Sequence, residues 1–129
     1  MTANGKIRSY RDLLIWQKGM ALAKQIYAMT RNFPGDERFG LTTQMRRAVV
    51  SVPSNIAEGQ ARHGQRGFVQ FLSHAEGSLA ELDTQLTLAV ELGYCRPSDA
   101  GESLATVAEL QKMMASSRGK LAARLATNH

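Results

Sequence analysis

Apolar residues recur every three or four positions along most of this chain, which is the spacing of an amphipathic α-helix. Breaks that contain glycine or proline divide the pattern into four segments, at about 10–32, 40–61, 66–93 and 98–126. No run alternates apolar and polar residues as a half-buried strand does. The links are short, so neighbouring helices should run in opposite directions. The pattern predicts an all-α fold, an up-down-up-down antiparallel four-helix bundle, in a single domain over residues 1–129.

The first segment carries two apolar stripes. One consists of Leu13, Trp16, Met20, Ala23 and Tyr27, and the second consists of Ile15, Leu22, Ile26 and Met29. Together they cover roughly 200° of the helix surface at 100° per residue, which is wider than the core of a bundle needs. Ser9 followed by Asp12 resembles a capping box, and Phe33-Pro34-Gly35 ends the segment.

The second segment keeps one apolar stripe in register through a proline; its members are Leu41, Met45, Val49, Val52 and Ile56. The unbroken phase favours one helix kinked at Pro53 over two helices. The alternative is a restart capped by Ser51 or Val52, with Pro53 in its first turn. Opposite the stripe lie Arg47, Val50, Ser54 and Glu58, with Ser51, Asn55 and Arg62 on one flank. This outer face mixes apolar, small and oppositely charged residues, which is not typical of a solvated surface.

Two further helices follow the breaks at residues 61–64 and 93–97. The stripe of the third contains Phe68, Leu72, Ala75, Leu79, Leu82, Leu86 and Val90, and that of the fourth contains Leu104, Val107, Leu110, Met114, Leu121 and Leu125. Asp99 and Glu102 are spaced for an acidic cap at the start of the fourth helix. The spacing of the third stripe is close to a heptad.

Charge adds a possible partner to this picture. The formal net charge is +5, and residues 1–66 hold 11 Lys and Arg against 4 Asp and Glu, whereas residues 67–129 hold 5 against 7. Basic candidates for phosphate binding are Arg46, Arg47, Arg62 and Arg66, with Lys18, Lys24 and Arg31 from helix one. No aromatic residues are interleaved with the arginines, so binding should be directed at the nucleic-acid backbone and weakly sequence-specific. The alternative is that the charge only maintains solubility.

Targeting features are lacking at the sequence level. Residues 1–12 have no apolar run of a signal peptide, no segment approaches the roughly 20 apolar residues of a membrane span, and Cys95 has no second cysteine to bridge. A soluble cytoplasmic protein is expected.

A family resemblance rests on several motifs, the most specific being SVPSNIAEG at residues 51–59. The others are Asp12-Leu13, Ile15-Trp16-Gln17, Phe33-Pro34, Glu37, Gly40-Leu41, Gln44, Arg46-Arg47, Phe71-Leu72, Gly77-Ser78, Glu81-Leu82 and Gly93-Tyr94. Over about residues 9–125 the chain resembles the four-helix bundle family of 23S rRNA intervening-sequence proteins, which includes relatives of the accessory variability protein of diversity-generating retroelements.

The resemblance implies a ring-shaped homo-oligomer, typically a pentamer, with no established catalytic activity. It also implies that relatives bind nucleic acid and a reverse transcriptase. In such a ring the outer face of helix two and the second stripe of helix one would be buried between subunits. Structural or interface roles then fall to Pro53, Asn55, Glu58, Gly59 and Glu81.

Enzymatic alternatives lack the required spacing. A di-iron bundle needs Glu-x-x-His pairs, but the residues three after Glu58, Glu76 and Glu81 are Ala61, Leu79 and Thr84. A ribonuclease could use His63 or His74 beside Arg62 or Arg66, yet no diagnostic spacing joins them. We therefore expect no catalytic residues, metal or cofactor. The leading interpretation is a non-enzymatic homo-oligomeric adaptor for nucleic acid or a nucleic-acid-processing protein; the alternative is a structural or protein-binding oligomer.

Overall fold

A computed structural model describes residues 8–62 and 64–127, without the side chain of Arg62. Within those residues there are four α-helices and no strand: α1 Leu14–Thr30, α2 Leu41–Arg62, α3 Gly64–Glu91 and α4 Pro97–Thr127. Short 3-10 helices at Tyr10–Asp12 and Gly35–Glu37 precede α1 and α2. The predicted all-α class is confirmed.

The largest difference from the predicted boundaries is at the start of helix one. Ser9 and Asp12 form the expected capping box, in which the Ser9 hydroxyl accepts from the backbone N–H of Arg11 at 3.1 Å. The box caps the 3-10 helix, however, and Leu13 then adopts an extended conformation with φ −77° and ψ 128°. This extended residue separates the capped turn from α1, so α1 begins at Leu14 and not near residue 10.

The core confirms the predicted stripes of α2 and α3 and corrects one expectation for α1. Ile15, Leu22 and Ile26 are fully buried within the single chain. These residues belong to the second stripe of helix one, which was expected to be buried between subunits. That expectation was wrong, because both stripes have the helical period and packing against α2 and α4 turns this one inward. They meet the largest fully buried side chains of α2, α3 and α4, which are Met45, Ile56, Leu72, Leu79, Leu82, Leu86, Leu110 and Met114.

Pro53 lies inside a continuous α2, and it is buried. The alternative of a helix that restarts after Ser51 or Val52 is therefore wrong. Across from it lies Gly19 of α1, where an added Cβ would be 3.5 Å from the Cβ and Cδ of Pro53, at ordinary van der Waals distance. The buried proline ring therefore packs against α1 at the position where Gly19 has no side chain. A bend of α2 at this residue stays a prediction.

Polar contacts link the helices around the core. Arg118 of α4 makes two hydrogen bonds to Glu76 of α3, at 2.5 and 3.2 Å, and Ser103 of α4 donates to Gln25 of α1 at 3.1 Å. Asp99 lies in the first turn of α4 and accepts from the Arg96 backbone N–H at 3.2 Å, whereas Glu102, the other residue of the expected acidic cap, accepts from Gln25 of α1. Each helix contacts the next, and α1 contacts α4. None of the helices in the described parts of the chain is long and apolar enough to cross a membrane.

Glu37 joins the two loops at one end of the molecule. One carboxylate oxygen accepts the Leu41 N–H at 3.0 Å, and the other accepts the Tyr94 hydroxyl at 2.6 Å. These bonds stabilise the ionised carboxylate, so the pKa of Glu37 is lowered by Tyr94 first and then by Leu41, while the pKa of Tyr94 is raised by Glu37. The loop before α2 is thereby held against the loop before α4.

We predict that Tyr94→Phe returns the pKa of Glu37 toward its ordinary range, measured by NMR titration of the carboxyl carbon. Because the folded pKa is depressed, Glu37 contributes stability above its unfolded pKa and loses it as pH falls through the folded value. The melting-temperature difference between wild type and Tyr94→Phe should therefore narrow below pH 4.5, the ordinary carboxyl value. Tyr10→Phe is the matched control, and an equal pKa shift in both variants would contradict the assignment.

Gly59 marks the closest approach of α2 and α3. It is buried, and a Cβ added to it would lie 2.7 Å from the Cβ of Phe71 and 3.2 Å from the Cδ1 of Phe68. Real Cβ atoms do not approach so closely, so any side chain at this position would separate the helices. The predicted structural role of Gly59 therefore has a steric reason.

Gly59→Ala should lower the free energy of unfolding by about 1–3 kcal/mol, because overpacking outweighs the helix propensity that alanine gains. Gly77→Ala is the matched control, since Gly77 lies in α3 with nothing within 4 Å of the added Cβ. The control should raise the free energy by about 0.5–1 kcal/mol. Urea unfolding measures both, and stabilisation by both substitutions would show that α2 and α3 are further apart.

Candidate interaction surface

A shallow groove runs along the outer junction of α1 and α2. With the second stripe of α1 facing the core, Met20 and Tyr27 of the first stripe lie outward and meet the outer face of α2, whereas Leu13 of that stripe is buried. The residues that line the groove, named here the α1/α2 groove, are Tyr10, Trp16, Met20, Ala23, Tyr27, Thr43, Arg46, Arg47, Val50, Pro53, Ser54 and Ala57. Their floor is largely apolar, and Met20, Tyr27 and Val50 are 37%, 39% and 42% exposed. No acidic residue is among them.

Arginine side chains lie on aromatic rings at both ends of the groove. The guanidinium carbon of Arg46 is 4.5 Å from the ring centroid of Tyr27, and its Nε donates to the Thr30 hydroxyl at 2.9 Å. The guanidinium carbon of Arg11 is 5.6 Å from the Tyr10 ring centroid and 5.7 Å from that of Trp16. No aromatic residue is interleaved with the arginines of α2 in the sequence, but α1 supplies a ring to Arg46 in the fold.

The predicted basic residues do not form one cluster. Arg47 is exposed at the rim of the groove and Lys24 is exposed on α1. Neither forms an ion pair within the described parts of the chain. Lys18 instead faces α4, where its Nζ lies 2.9 Å from a carboxylate oxygen of Glu109. Lys18 is therefore neutralised locally and separated from the groove.

A second basic region lies at the other end of α2. Arg62 is the last residue of α2, although its side chain lies outside the described residues, as does the whole of His63. Arg66 is exposed in the first turn of α3. Arg62 follows Arg47 by 15 positions, which corresponds to roughly 22 Å along a helix axis. The four predicted arginines are accordingly divided between the first two turns of α2 and the junction of α2 with α3.

The predicted structural residues differ in their surroundings. Pro53 and Gly59 are buried, and Asn55 is half-buried with its Nδ2 donating to the Ser51 carbonyl at 2.7 Å. Glu58 and Glu81 are exposed. Within the single chain, only the first three have the burial that a structural role requires.

Groups capable of acid-base or thiol chemistry are dispersed. His74 is exposed, with its ring edge-on to Phe71 at 6.0 Å. Burial, followed by the charge of Asp99, raises the pKa of the half-buried Cys95 thiol and so disfavours the reactive thiolate. Among the residues that the structure describes, no three His, Cys, Asp or Glu side chains are grouped to hold a metal ion. The α1/α2 groove offers an apolar surface and positive charge, which are suited to binding a partner.

The fold and the groove define a class of all-helical protein with a basic, partly apolar surface. Residues 11–116 match the family model described as 23S rRNA-intervening sequence protein, and the chain belongs to that family. It is similar to a crystal structure of a protein of unknown function from the S23 ribosomal protein family of Bacteroides thetaiotaomicron, with a TM-score of 0.71 and 21% identity over 80% of this chain and 96% of that chain. This second similarity shows the fold alone. No curated protein matches the chain.

The two adjacent arginines should differ in their effect on stability. Arg46→Ala removes a hydrogen bond and an aromatic contact and should lower the free energy of unfolding by about 1–2 kcal/mol. Arg47→Ala, the control, should change it by less than about 0.5 kcal/mol. Urea unfolding at low and high salt checks both, and equal effects would contradict the distinct positions of the two side chains.

Proposed function

We propose that the protein is a non-enzymatic homo-oligomeric adaptor, a pentameric ring, that binds nucleic acid or a nucleic-acid-processing protein through its basic surface. A reverse transcriptase is one such protein, by analogy with the retroelement relatives of the family. We also propose that the chain forms a single up-down-up-down domain, that α2 bends near Pro53, and that the protein is cytoplasmic. The observation that carries it is the α1/α2 groove, an apolar surface with basic ends and no acidic lining residue.

The oligomer is supported by the exposure of large apolar side chains in this groove. Trp16 is half-buried, and Met20, Tyr27 and Val50 are more than a third exposed side by side. A contiguous apolar surface of this kind typically marks a contact with another protein. Burial of this surface in a subunit contact would account for the wide apolar surface of helix one. The first stripe of that helix, and not the second, would then contribute to the contact.

Nucleic-acid binding is supported by the charge distribution. Arg47 and Lys24 are exposed without an ion pair in the described parts of the chain, and Arg66 is exposed beside the end of α2. Cations on an assembly are repeated by its symmetry, so a few per chain give many phosphate contacts. Each phosphate neutralised on duplex DNA contributes about −0.9 to the slope of log affinity against log salt.

The second candidate is an oligomer that binds only protein. It is favoured by the internal use of two predicted phosphate ligands, since Arg46 binds Thr30 and Tyr27 while Lys18 binds Glu109. Removing these two side chains from the basic set leaves less charge for nucleic acid. The two candidates share the oligomer and differ in the ligand.

The oligomeric state is measured by light scattering coupled to size exclusion. A pentamer has about five times the 14.1 kDa chain mass. A stable mass above one chain supports the homo-oligomer, and the pentamer requires the fivefold value. A monomer at micromolar concentration would overturn both.

Nucleic-acid binding is tested with a structured RNA and a DNA duplex of unrelated sequence over a salt series. Affinity should fall steeply with salt and differ little between sequences. Arg62→Ala with Arg66→Ala should flatten the slope while the oligomer mass stays constant. The control is Lys112→Ala with Lys120→Ala, two exposed lysines of α4, which should leave the slope close to wild type. No binding at low salt would favour the protein-only oligomer.

A further inference from the structure

The outward face of α3 near its C-terminal end is a second exposed apolar surface. Leu88, in the last turn of α3, and Leu92, which directly follows the helix, are 44% and 50% exposed, and the Leu92 N–H donates to the Leu88 carbonyl at 2.9 Å. Beside Leu88 lie the exposed acidic residues Asp83 and Glu91, which line the same depression with Thr84 and Thr87. Neither carboxylate forms an ion pair within the described residues. We name this set of six residues the α3 stripe.

The α3 stripe and the α1/α2 groove are complementary. Each has an apolar centre, formed by Leu88 and Leu92 in one and by Met20, Tyr27 and Val50 in the other. The rim of the stripe is acidic, with no basic member, whereas the rim of the groove is basic, with no acidic member. Most of the exposed large hydrophobic residues of the described chain lie in these two surfaces. Contact between them would remove both apolar patches from water and pair opposite charges.

We propose that the α1/α2 groove of one copy receives the α3 stripe of the next copy. The proposal rests on the proposed homo-oligomer and specifies its contact. Because the two surfaces are on different helices, each copy retains a free groove or stripe after one contact forms. Such a heterologous contact repeats until the rotation closes a ring. Arg66, in the first turn of α3, lines neither surface.

Complementation between two assembly-deficient variants tests the pairing. Leu88→Glu places a carboxylate in the stripe and leaves the groove intact, and Val50→Glu places one in the groove and leaves the stripe intact. Each variant alone should be a monomer or show at least a tenfold weaker assembly in light scattering over a concentration series. Mixed in equal amounts, the intact stripe of one fits the intact groove of the other. The mixture should form a one-to-one heterodimer of about twice 14.1 kDa.

Leu14→Glu is the matched control, because Leu14 is 40% exposed and lies in neither surface. It should assemble like wild type. Circular dichroism should show wild-type helicity for every chain, and Leu88→Gln and Val50→Gln replace any glutamate variant that unfolds. Charge reversal gives an independent readout: Arg47→Glu and Glu91→Arg should each weaken assembly, and the two changes in one chain should restore at least part of it.

The possible failures are distinct. Wild-type monomers would overturn the proposed homo-oligomer and this contact with it. A wild-type oligomer that survives Leu88→Glu would overturn the contact alone, and so would Leu88→Glu and Val50→Glu monomers that fail to pair on mixing. If Val50→Glu abolishes binding of RNA but not assembly, the groove receives nucleic acid instead of the stripe.

Discussion

The close approach of α2 to both of its neighbours is the constraint on which the rest of the structure depends. On one side Gly19 of α1 lies opposite Pro53 at ordinary van der Waals distance, and on the other Gly59 lets α3 place Phe71 where a side chain would otherwise be. Gly19 is buried against Val52 and Pro53, so α1 turns this side toward α2. Ile15 and Ile26 then point into the core, and the stripe that includes Met20 is left at the surface. The groove is thus a consequence of how the helices pack.

The same packing gives the residues of the SVPSNIAEG segment different roles. Pro53 and Gly59 face neighbouring helices, and Glu58 is exposed. The Asn55 side chain donates a hydrogen bond to the Ser51 carbonyl of its own helix. A proline in a helix loses a hydrogen bond and is tolerated only where surrounding contacts offset the loss. Here Pro53 is buried, and its packing against α1 at Gly19 is one such contact. The segment therefore packs against neighbouring helices through Pro53 and Gly59, and it exposes the charged side chain of Glu58.

Sequence periodicity was sufficient for the helices and most of the core, because burial on one face enforces the helical period. It could not decide which stripe of α1 faces inward, since Ile26 and Tyr27 belong to stripes of equal regularity. Nor could it pair Lys18 with Glu109, or place Arg46 on Tyr27, because those partners are brought together only by the fold. The sequence alone therefore could not show that two of the predicted basic residues, Lys18 and Arg46, have partners within the chain.

The division of the basic residues has a consequence for any assembly built through the groove. Cations at its rim, such as Arg47, would then stabilise the contact between subunits, whereas Arg66, in the first turn of α3, would lie outside that contact. Salt screens both kinds of interaction over roughly 8–10 Å near physiological ionic strength. The apolar centre of the subunit contact is not screened, and strongly excluded salts such as sulfate strengthen it. Assembly and ligand binding should consequently separate with salt type, since only the ligand contact depends on charge alone.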